Sequence, residues 1–481
     1  MSPTLPHFPA LRSGKAYRSL DTIELGDYRS ANPLAEVSQV NAGLIRRDLR
    51  RASERQAVLA AMPMAELLER CVDSSRIFLE DTLSMGSEGE SQTPEEYIRC
   101  LSATSGMPHT LCKGNMQKVA GVMREMPNIL RGLMRGMDPS VLDSGVGEHD
   151  GVAVRYTPTT NTLGAVLPSN SPGVHSLWIP AIVLKVPVIL KPGREEPWTP
   201  MRIAQAMMAA GIPPEAFNLY PTDHEGSRAI LEGCGRTLLF GAASTTDQYI
   251  GDDRVEVHGP GYSKLLIGPD EIENWRDHLD VLVQSVSANG GRSCVNASSI
   301  FVPAHAEEIA QALAERLNEI VPRSPTDPEA QLAAFADPAR ADGMNAAIES
   351  GLAGGTARDV TEALRGSPRR MDHEGAAFLL PTVIRCDSKE HPLAASEYLF
   401  PFCSVVEVPA SELLDSLGPS LVVSAITRDP ELCAGLRAAP SIQRLNLGPL
   451  STASVQWDQP HEGNLFELLY TRRAYQSQLS W

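Results

Sequence analysis

Apolar residues recur at three- and four-residue spacing from Asn32 to about Met137, and this period predicts a helical N-terminal segment. Within it, Thr93 is followed by Pro94 and two glutamates, an order typical of a helix start with threonine as the N-cap. The first thirty residues are polar and rich in proline instead, and we expect an irregular arm there.

The pattern changes to short β-rich runs after residue 150. Residues 151–158 and 162–169 are separated by Thr-Thr-Asn, which predicts a β-hairpin. From Thr162 to Ile267 strand-like and helix-like runs alternate, as in βαβ units with a parallel sheet. A second alternating unit spans 268–447, and an amphipathic, strand-like segment from 464 ends the chain. These patterns predict an α/β fold with two α/β domains and a small β element.

Composition narrows the function classes. Hydrophobic residues make up 42% and charged residues 21% of the 481 positions, which is ordinary for a globular protein. The net charge of −17 disfavours nucleic-acid or anionic-membrane binding, and no run of about 18 apolar residues is present. The eight cysteines are far apart without a CxxC pair, and the first residues lack the apolar stretch of a secretory signal. We expect a cytoplasmic enzyme with no metal, nucleic-acid or membrane partner.

Three residues stand out for their chemistry. Cys294 follows a Gly-Gly pair, where the backbone can turn sharply and present a thiol; the alternative is a buried structural cysteine. Asn170 ends the first parallel strand, where a carboxamide can donate to a substrate oxygen or simply form a turn. Lys191 ends the next strand and either holds a ribose or phosphate or is solvated.

Taken in order, several short motifs resemble the aldehyde dehydrogenase superfamily over roughly Gly151 to Gln476. The motifs are LPSN, ILKPGREEPWTP, AGIPPEAFNLY, LLFGAAS, HGPG, NGGRSC, FLLPTVI, SEYLFPFCSVVEV and PHEGNLFELLY. The resemblance implies an α/β fold with a Rossmann-type cofactor domain, an α/β catalytic domain and a small β oligomerisation element. It places the arm at 1–30, the cofactor-binding domain at 31–148 and 167–267, the catalytic domain at 268–447, and the oligomerisation element at 149–166 and 464–481.

The resemblance also assigns catalytic roles. It implies that Cys294 attacks an aldehyde as thiolate, that hydride passes to nicotinamide, and that a thioester remains on the cysteine. Asn170 matches the carboxamide that forms the oxyanion hole together with the backbone N–H of Cys294.

A second set of residues matches the family's cofactor site. Lys191 corresponds to the lysine on the adenosine ribose, and Glu397 to the acid on the nicotinamide ribose. Ser244 and Thr245 fall where a helix N-terminus meets the pyrophosphate. The expected set is completed by Ser169, Arg194, Gly226 and Gly259.

Some positions depart from the family pattern. Arg292 replaces a glutamine two residues before the thiol, and the turn from Ala242 lacks the usual glycines. Arg194 stands where an acid usually holds the adenosine ribose, which suits a 2′-phosphate, so NAD and NADP both remain open. If the match to the family pattern is shifted by one or two residues, Glu195 or Glu196 takes the position of this acid.

The departure that bears on the reaction is His258, in the position of the glutamate that activates the hydrolytic water. Its Gly-Pro-Gly turn resembles members that exchange the acyl group with coenzyme A. His258 is either a base near neutral pH or a structural histidine, and Glu256, on the same face of a strand, is the alternative base. His461 in PHEGN either touches the substrate or is an ordinary loop residue.

Three functions remain open at this point. The first is an NAD(P)-dependent aldehyde oxidoreductase with coenzyme A as cosubstrate, which takes an aldehyde or an acyl-CoA. The second is a hydrolytic aldehyde dehydrogenase with His258 or Glu256 as base. The third is a non-catalytic binding or scaffold protein of the same fold. A homo-oligomer, dimer or tetramer, is expected in each case.

Overall fold

The computed structural model describes residues 5–86, 89–460 and 462–478. The helices are α1 (Ala42–Leu49), α2 (Ala52–Ala60), α3 (Met64–Glu80), α4 (Pro94–Ser105), α5 (His109–Arg124), α6 (Met126–Leu133), α7 (Val141–Ser144), α8 (Ile179–Val183), α9 (Trp198–Ala209), α10 (His224–Gly233), α11 (Ala243–Thr246), α12 (Leu279–Ser287), α13 (Ala306–Leu317), α14 (Pro338–Leu352), α15 (Glu362–Arg365), α16 (Pro430–Ala438) and α17 (Leu465–Leu469).

The strands of the described residues form two large sheets and several small ones. They are β1 (His7–Phe8), β2 (Ala10–Arg12), β3 (Lys15–Tyr17), β4 (Thr22–Gly26), β5 (Pro33–Ser38), β6 (Leu83–Ser84), β7 (Ser91–Gln92), β8 (Val146–His149), β9 (Val152–Pro158), β10 (Leu163–Val166), β11 (Val188–Lys191), β12 (Phe217–Leu219), β13 (Arg236–Phe240), β14 (Val255–His258), β15 (Ser263–Ile267), β16 (Ala297–Val302), β17 (Ala357–Asp359), β18 (Arg370–His373), β19 (Ala376–Leu379), β20 (Thr382–Cys386), β21 (Phe402–Glu407), β22 (Ser420–Ile426), β23 (Ile442–Leu447) and β24 (Tyr470–Arg473).

The first large sheet has the strand order β14-β13-β10-β11-β12-β2-β3, and its strands from β10 to β14 are parallel. The chain moves from β10 towards β12 on one side and returns to β13 and β14 on the other. This reversal between β10 and β13 is a topological switch point, where ligands of doubly wound sheets bind. The predicted parallel sheet is confirmed.

The second large sheet has the order β17-β20-β21-β16-β15-β22-β23 and is parallel except for β17. Strand β15, at Ser263–Ile267, pairs with β16 and β22 here. The expected boundary at residue 267 is therefore wrong for this strand, because the first sheet ends with β14. An apolar run such as Lys-Leu-Leu-Ile fits either parallel sheet, so only pairing decides its membership.

The expectation of an irregular N-terminal arm is wrong. Within residues 5–38, β1 pairs with β5 and β5 with β4, while β2 pairs antiparallel with β12 in the first sheet, where β3 is the edge strand. Phe8 and Leu11 are fully buried, so this segment covers the sheet despite its prolines. The prolines are tolerated there because Pro6 and Pro9 lie outside the strands and Pro33 is the first residue of β5.

The expected hairpin of residues 151–158 and 162–169 is also wrong. β9 pairs with β8 and with β24, whereas β10 joins the first large sheet, so residues 163–166 do not belong to the small β element. The two expected segments of that element do meet, since β24 runs antiparallel to β9. The C-terminal segment is only partly a strand, because helix α17 precedes β24. A role in assembly stays a prediction.

The predicted helix start at Thr93 is confirmed. The Thr93 side chain accepts from the Glu96 backbone N–H, the Glu96 carboxylate accepts from the Thr93 N–H, and Pro94 is the first helical residue. Helices α3 to α6 pack against the first sheet through one large apolar core. In the described part of the chain no helix is long and apolar enough to cross a membrane.

Candidate active site

A cleft of about 990 Å³ opens between the two large sheets at the switch point. Its walls are the loops that follow the carboxyl ends of β10, β11, β12, β13 and β14, together with Cys294 and Glu397 from the second unit. Helix α5 contributes Lys118 from the third side. A cleft of this size and place is the preferred ligand site of a doubly wound fold.

Cys294 lies on a sharp turn after α12. Asn289, Gly290 and Gly291 have φ values of 53°, 65° and 70°, a left-handed run that glycine adopts without strain. A Cβ on Gly291 would overlap the carbonyl group of Phe400, so the close packing there requires glycine. The turn leaves Cys294 partly exposed in the cleft, whereas the other seven cysteines are buried. The thiol of Cys294 is therefore accessible to a ligand in the cleft, unlike the thiols of the other cysteines.

A network of side chains joins this turn to the loop that carries Asn170. Asn289 Nδ2 donates to Ser171 Oγ at 3.0 Å and to Ser293 Oγ at 3.1 Å. Asn115 of α5 donates from Nδ2 to Asn289 Oδ1 at 2.7 Å and accepts from Ser171 Oγ at 3.3 Å. The network fixes three chain segments relative to one another, which a precise active site requires.

Asn170 is bound directly by the turn that carries Cys294. Its Nδ2 donates to the carbonyl oxygen of Arg292 at 2.9 Å, and because an amide nitrogen carries two hydrogens, the other is left for a substrate oxygen. The Arg292 side chain is anchored in turn, since its guanidinium donates to the carbonyl oxygens of Ser105 and Ala334. Burial lowers the pKa of Arg292 to about 10, so it remains a cation at neutral pH. This orientation suits an oxyanion hole.

The electrostatic surroundings of Cys294 do not favour a resting thiolate. Burial and the charges of Glu462 and Glu397 raise the pKa of the thiol above its ordinary value, while Lys118 lowers it. The thiol is therefore protonated at neutral pH in the free protein. A cation that enters the cleft would favour the thiolate, since an opposite charge nearby stabilises the ionised form.

His258 is enclosed by two carboxylates. Its Nδ1 lies 2.7 Å from Glu462 Oε2 and its Nε2 lies 3.4 Å from Glu256 Oε1, although neither contact has hydrogen-bond angles. The ring stacks on Phe240 with centroids 4.4 Å apart and is 5% exposed. Burial alone lowers the pKa of His258, but Glu462 and then Glu256 raise it to about 9. At pH 7 the imidazole is a cation, which cannot accept a proton.

The Glu397 carboxylate binds backbone N–H groups of the turn after His258. Its carboxylate accepts from the backbone N–H of Tyr262 at 2.6 Å and of Gly261 at 3.3 Å. Burial raises the pKa of Glu397 to about 7, although these two hydrogen bonds lower it. A Cβ on Gly261 would overlap the carbonyl oxygen of Cys294, so this glycine allows the turn to approach Cys294 closely.

Most predicted site residues surround the cleft. The lining residues among them are Ser169, Asn170, Lys191, Arg194, His258, Gly259, Cys294 and Glu397. Burial lowers the pKa of Lys191, against the opposing charge of Glu195. Ser244 and Thr245 are exposed on the single turn of α11 and do not line the cleft, whereas Gly241 and Ala242 do. Gly226 lies behind the cleft, where its N–H donates to the Asp223 cap of α10.

The two acids after Arg194 differ in availability. Glu196 is 1% exposed, and its carboxylate contacts His175 Nε2 at 3.1 Å and accepts from the Thr199 N–H at 3.0 Å. Glu196 cannot reach a ribose in the cleft. Glu195 lines the cleft with Oε1 3.9 Å from Arg340 Nη2, so it remains the only one of the two that can restore the acid.

Sequence reasoning missed several residues of the site. Asn115, Lys118 and Ser171 lie in segments that periodicity assigned to a helix face or a turn. Glu462 belongs to the PHEGN motif, where an acid beside the C-terminal loop was a usable signal; His461 of that motif lies outside the described residues. Within residues 5–86, 89–460 and 462–478, no three His, Cys, Asp or Glu side chains form a possible metal site.

Comparison with solved structures supports the fold. The γ-glutamyl-γ-aminobutyraldehyde dehydrogenase of Burkholderia cenocepacia is 18% identical, with a TM-score of 0.77 and coverage of 97% of this chain and 95% of that one. The indole-3-acetaldehyde dehydrogenase of P. syringae, solved with NAD+, is 17% identical, with a TM-score of 0.78 and coverage of 98% and 96%.

Curated relatives are similar over shorter stretches. The aminoacetaldehyde dehydrogenase of Pseudomonas aeruginosa is 29% identical over 266 residues, 50% of this chain and 49% of that protein. A betaine aldehyde dehydrogenase of Cereibacter sphaeroides is 24% identical over 307 residues, 58% and 60% of the two chains. The matched stretch thus spans about half the length of the first relative. The model of the aldehyde dehydrogenase family matches residues 21–414, and the chain therefore belongs to that family.

Proposed function

We propose that this protein is an NAD(P)-dependent aldehyde dehydrogenase that forms a thioester on Cys294 and passes the acyl group to coenzyme A. The observation that carries the first part is the placement of Cys294 beside the anchored carboxamide of Asn170, in a cleft at the switch point. The observation that carries the second part is the cationic histidine in the position of the family's water-activating glutamate.

The cleft fits a nicotinamide dinucleotide. Dinucleotides bind where the carboxyl ends of parallel strands diverge, and the loops after β10, β11 and β13 meet there. Lys191 and Ser169 would hold the adenosine end, Glu397 the nicotinamide ribose, and Gly259 would let the ring approach Cys294. The bound nicotinamide supplies a hydride acceptor.

Arg194 points to a preference for NADP. It is exposed at the mouth of the cleft, and among the described residues its guanidinium makes no hydrogen bond or ion pair. An uncommitted guanidinium suits a 2′-phosphate, which it can bind with two parallel hydrogen bonds. Glu195 would serve the ribose hydroxyls if NAD is bound instead.

The chain's own groups account for the acylation step. The Cys294 thiol gives its proton to water, and the thiolate sulfur attacks the aldehyde carbon. The free hydrogen of Asn170 Nδ2 and the Cys294 backbone N–H stabilise the oxyanion that forms. The network of Asn115, Ser171 and Asn289 holds the segments that carry Asn170 and Cys294 in a fixed position relative to each other. Loss of hydride from the resulting thiohemiacetal leaves the thioester.

Release of the acyl group decides the subclass. Water needs a base, and a histidine with a pKa of about 9 is protonated at neutral pH. The thiolate of coenzyme A is reactive without such a base. A second candidate is hydrolysis with Glu462 as base, because this carboxylate also lines the cleft. Glu256 lies behind the imidazole and does not line the cleft.

The decisive experiment is a transient kinetic assay with an aldehyde and NAD(P)+, with and without coenzyme A. Without coenzyme A we expect a burst of about one equivalent of reduced cofactor, then little turnover. Coenzyme A should restore turnover and yield an acyl-CoA. Steady turnover to the free acid without coenzyme A would place the protein in the hydrolytic class. Cys294→Ala should abolish the burst; no burst in wild type with any aldehyde would favour a binding protein.

A further inference from the structure

The side chain of Arg292 is a buried cation that the mechanism above does not use. It is 5% exposed, and its two terminal nitrogens donate to the backbone carbonyl oxygens of Ser105, at 2.8 Å, and of Ala334. Among the described residues the guanidinium forms no ion pair with a carboxylate, and its buried Nε has no hydrogen-bond partner. A buried cation with an unpaired donor is costly, so this side chain is kept in place at the expense of stability.

The two carbonyl oxygens that Arg292 binds belong to different units of the fold. Ser105 is the last residue of α4, which packs on the first large sheet. Ala334 packs with Phe378 of β19 in the second unit. The seam between the units, formed here by Ser105, Gly106 and Ala334, is tight, because the Ala334 N–H donates to the Gly106 carbonyl oxygen at 2.8 Å. The guanidinium therefore binds both sides of this seam.

The backbone of Arg292 contacts the proposed oxyanion hole. Its carbonyl oxygen accepts from Asn170 Nδ2 at 2.9 Å, which sets the direction of the second hydrogen of this carboxamide. Asn170 and Arg292 also line one small cavity of about 40 Å³ beside the cleft. A shift of Arg292 at the seam would therefore move the hydrogen-bond partner that orients Asn170.

We propose that Arg292 is a positioning residue, which fixes the carboxamide of Asn170 by binding the seam between the two units with its side chain. The inference rests on the proposed function, because it concerns a donor to the oxyanion that forms during acylation. A planar guanidinium directs two nitrogens to two carbonyl oxygens at once. The glutamine of the family pattern has a single nitrogen on a shorter side chain, so the arginine of this chain provides a link that glutamine does not.

The first test is a double-mutant cycle on the rate constant of the acylation burst. Arg292→Lys keeps the charge but has a single nitrogen, so the burst should be about 10- to 100-fold slower, as expected for a misplaced group of an active site. In the Asn170→Ala background the same change should slow the burst less than about threefold, because the carboxamide that it misplaces is already absent. Equal slowing in the two backgrounds would overturn the inference.

Arg202 is the matched control for a purely structural effect. It is also buried, its guanidinium donates to the backbone carbonyl oxygens of Phe78, Asp81 and Gln92, and it lies on α9 without lining the cleft. Arg202→Lys should lower the melting temperature, as Arg292→Lys does, but leave the burst rate constant unchanged. If Arg202→Lys slowed the burst as much as Arg292→Lys, lost stability would be the cause and the inference would be wrong.

Hydrogen exchange followed by mass spectrometry separates this inference from the proposed function, since it needs no substrate. In Arg292→Lys the backbone N–H groups of residues 166–174 and 289–296 should exchange at least about threefold faster than in wild type, whereas in Arg202→Lys they should not. Arg292→Gln, a second variant that also lacks the two-nitrogen link, should show the same increase. Unchanged exchange in both Arg292 variants would overturn the inference whatever reaction the protein catalyses. The increase together with no burst in wild type would overturn the proposed function alone.

Discussion

Replacing Glu462 by glutamine should speed the release of the acyl group by water at neutral pH. The carboxylate of Glu462 lies 2.7 Å from His258 Nδ1 and, after the opposing effect of burial, is the first cause that raises the pKa of His258 to about 9. At pH 7 only about one His258 in a hundred is then neutral and able to accept a proton. The ion pair therefore keeps the histidine of this turn protonated and unable to accept a proton from water.

The size of the effect follows from the titration. The first unit by which the pKa of His258 falls raises its neutral fraction at pH 7 about tenfold. A return to its ordinary 6.5 would raise that fraction roughly 70-fold, because the fraction levels off once the pKa is below the pH. In wild type, hydrolysis without coenzyme A should increase about tenfold per pH unit and level off above a pH of about 9. In Glu462→Gln the rate of this hydrolysis should level off at a lower pH.

The assay is the slow phase that follows the burst, recorded without coenzyme A from pH 6 to 10. Glu467→Gln is the matched control, because this exposed carboxylate on α17 pairs with Arg135 at 2.5 Å and does not line the cleft. A slower phase at pH 7 in Glu462→Gln would refute the reasoning and identify Glu462 as the base. A wild-type rate that does not change between pH 6 and 9 would also contradict it.

The remaining predictions concern the oxyanion hole, the cofactor and the turn. Asn170→Ala should lower kcat about 100- to 1000-fold while cofactor binding, measured by fluorescence quenching, persists; a loss below tenfold would exclude the carboxamide as a donor. Arg194→Glu should weaken the binding of NADP more than the binding of NAD in equilibrium titrations. Equal weakening would mean that Arg194 does not contact the 2′-phosphate. Gly261→Ala should abolish the burst because its Cβ overlaps the carbonyl of Cys294, whereas Gly343→Ala on α14, whose Cβ would meet no atom within 4 Å, should cost far less; equal losses would show that close approach is not the reason.

Local signals in the sequence determined much of the architecture. The capping pattern at Thr93, the alternation of strand and helix, and the Gly-Gly pair before Cys294 each depend on a few adjacent residues, and each is found in the structure. The order of the short motifs identified the family. Each motif alone is too short to be specific, but all of them in the same order are improbable by chance. Local propensity and chain order are properties of the sequence itself.

Only the tertiary structure decided which strands pair and which charges meet. β10 and β15 lie in other sheets than we expected. A short apolar run fits any buried parallel strand, and the strands with which it pairs can be far away in the chain. The charge state of His258 depends on Glu462, some two hundred residues away in the chain, and Lys118 on an ordinary helix looks solvated until α5 is packed beside Cys294. Electrostatic effects depend on distance and burial in space, so the protonation of His258 and the positive charge that Lys118 brings to the cleft are set by the fold.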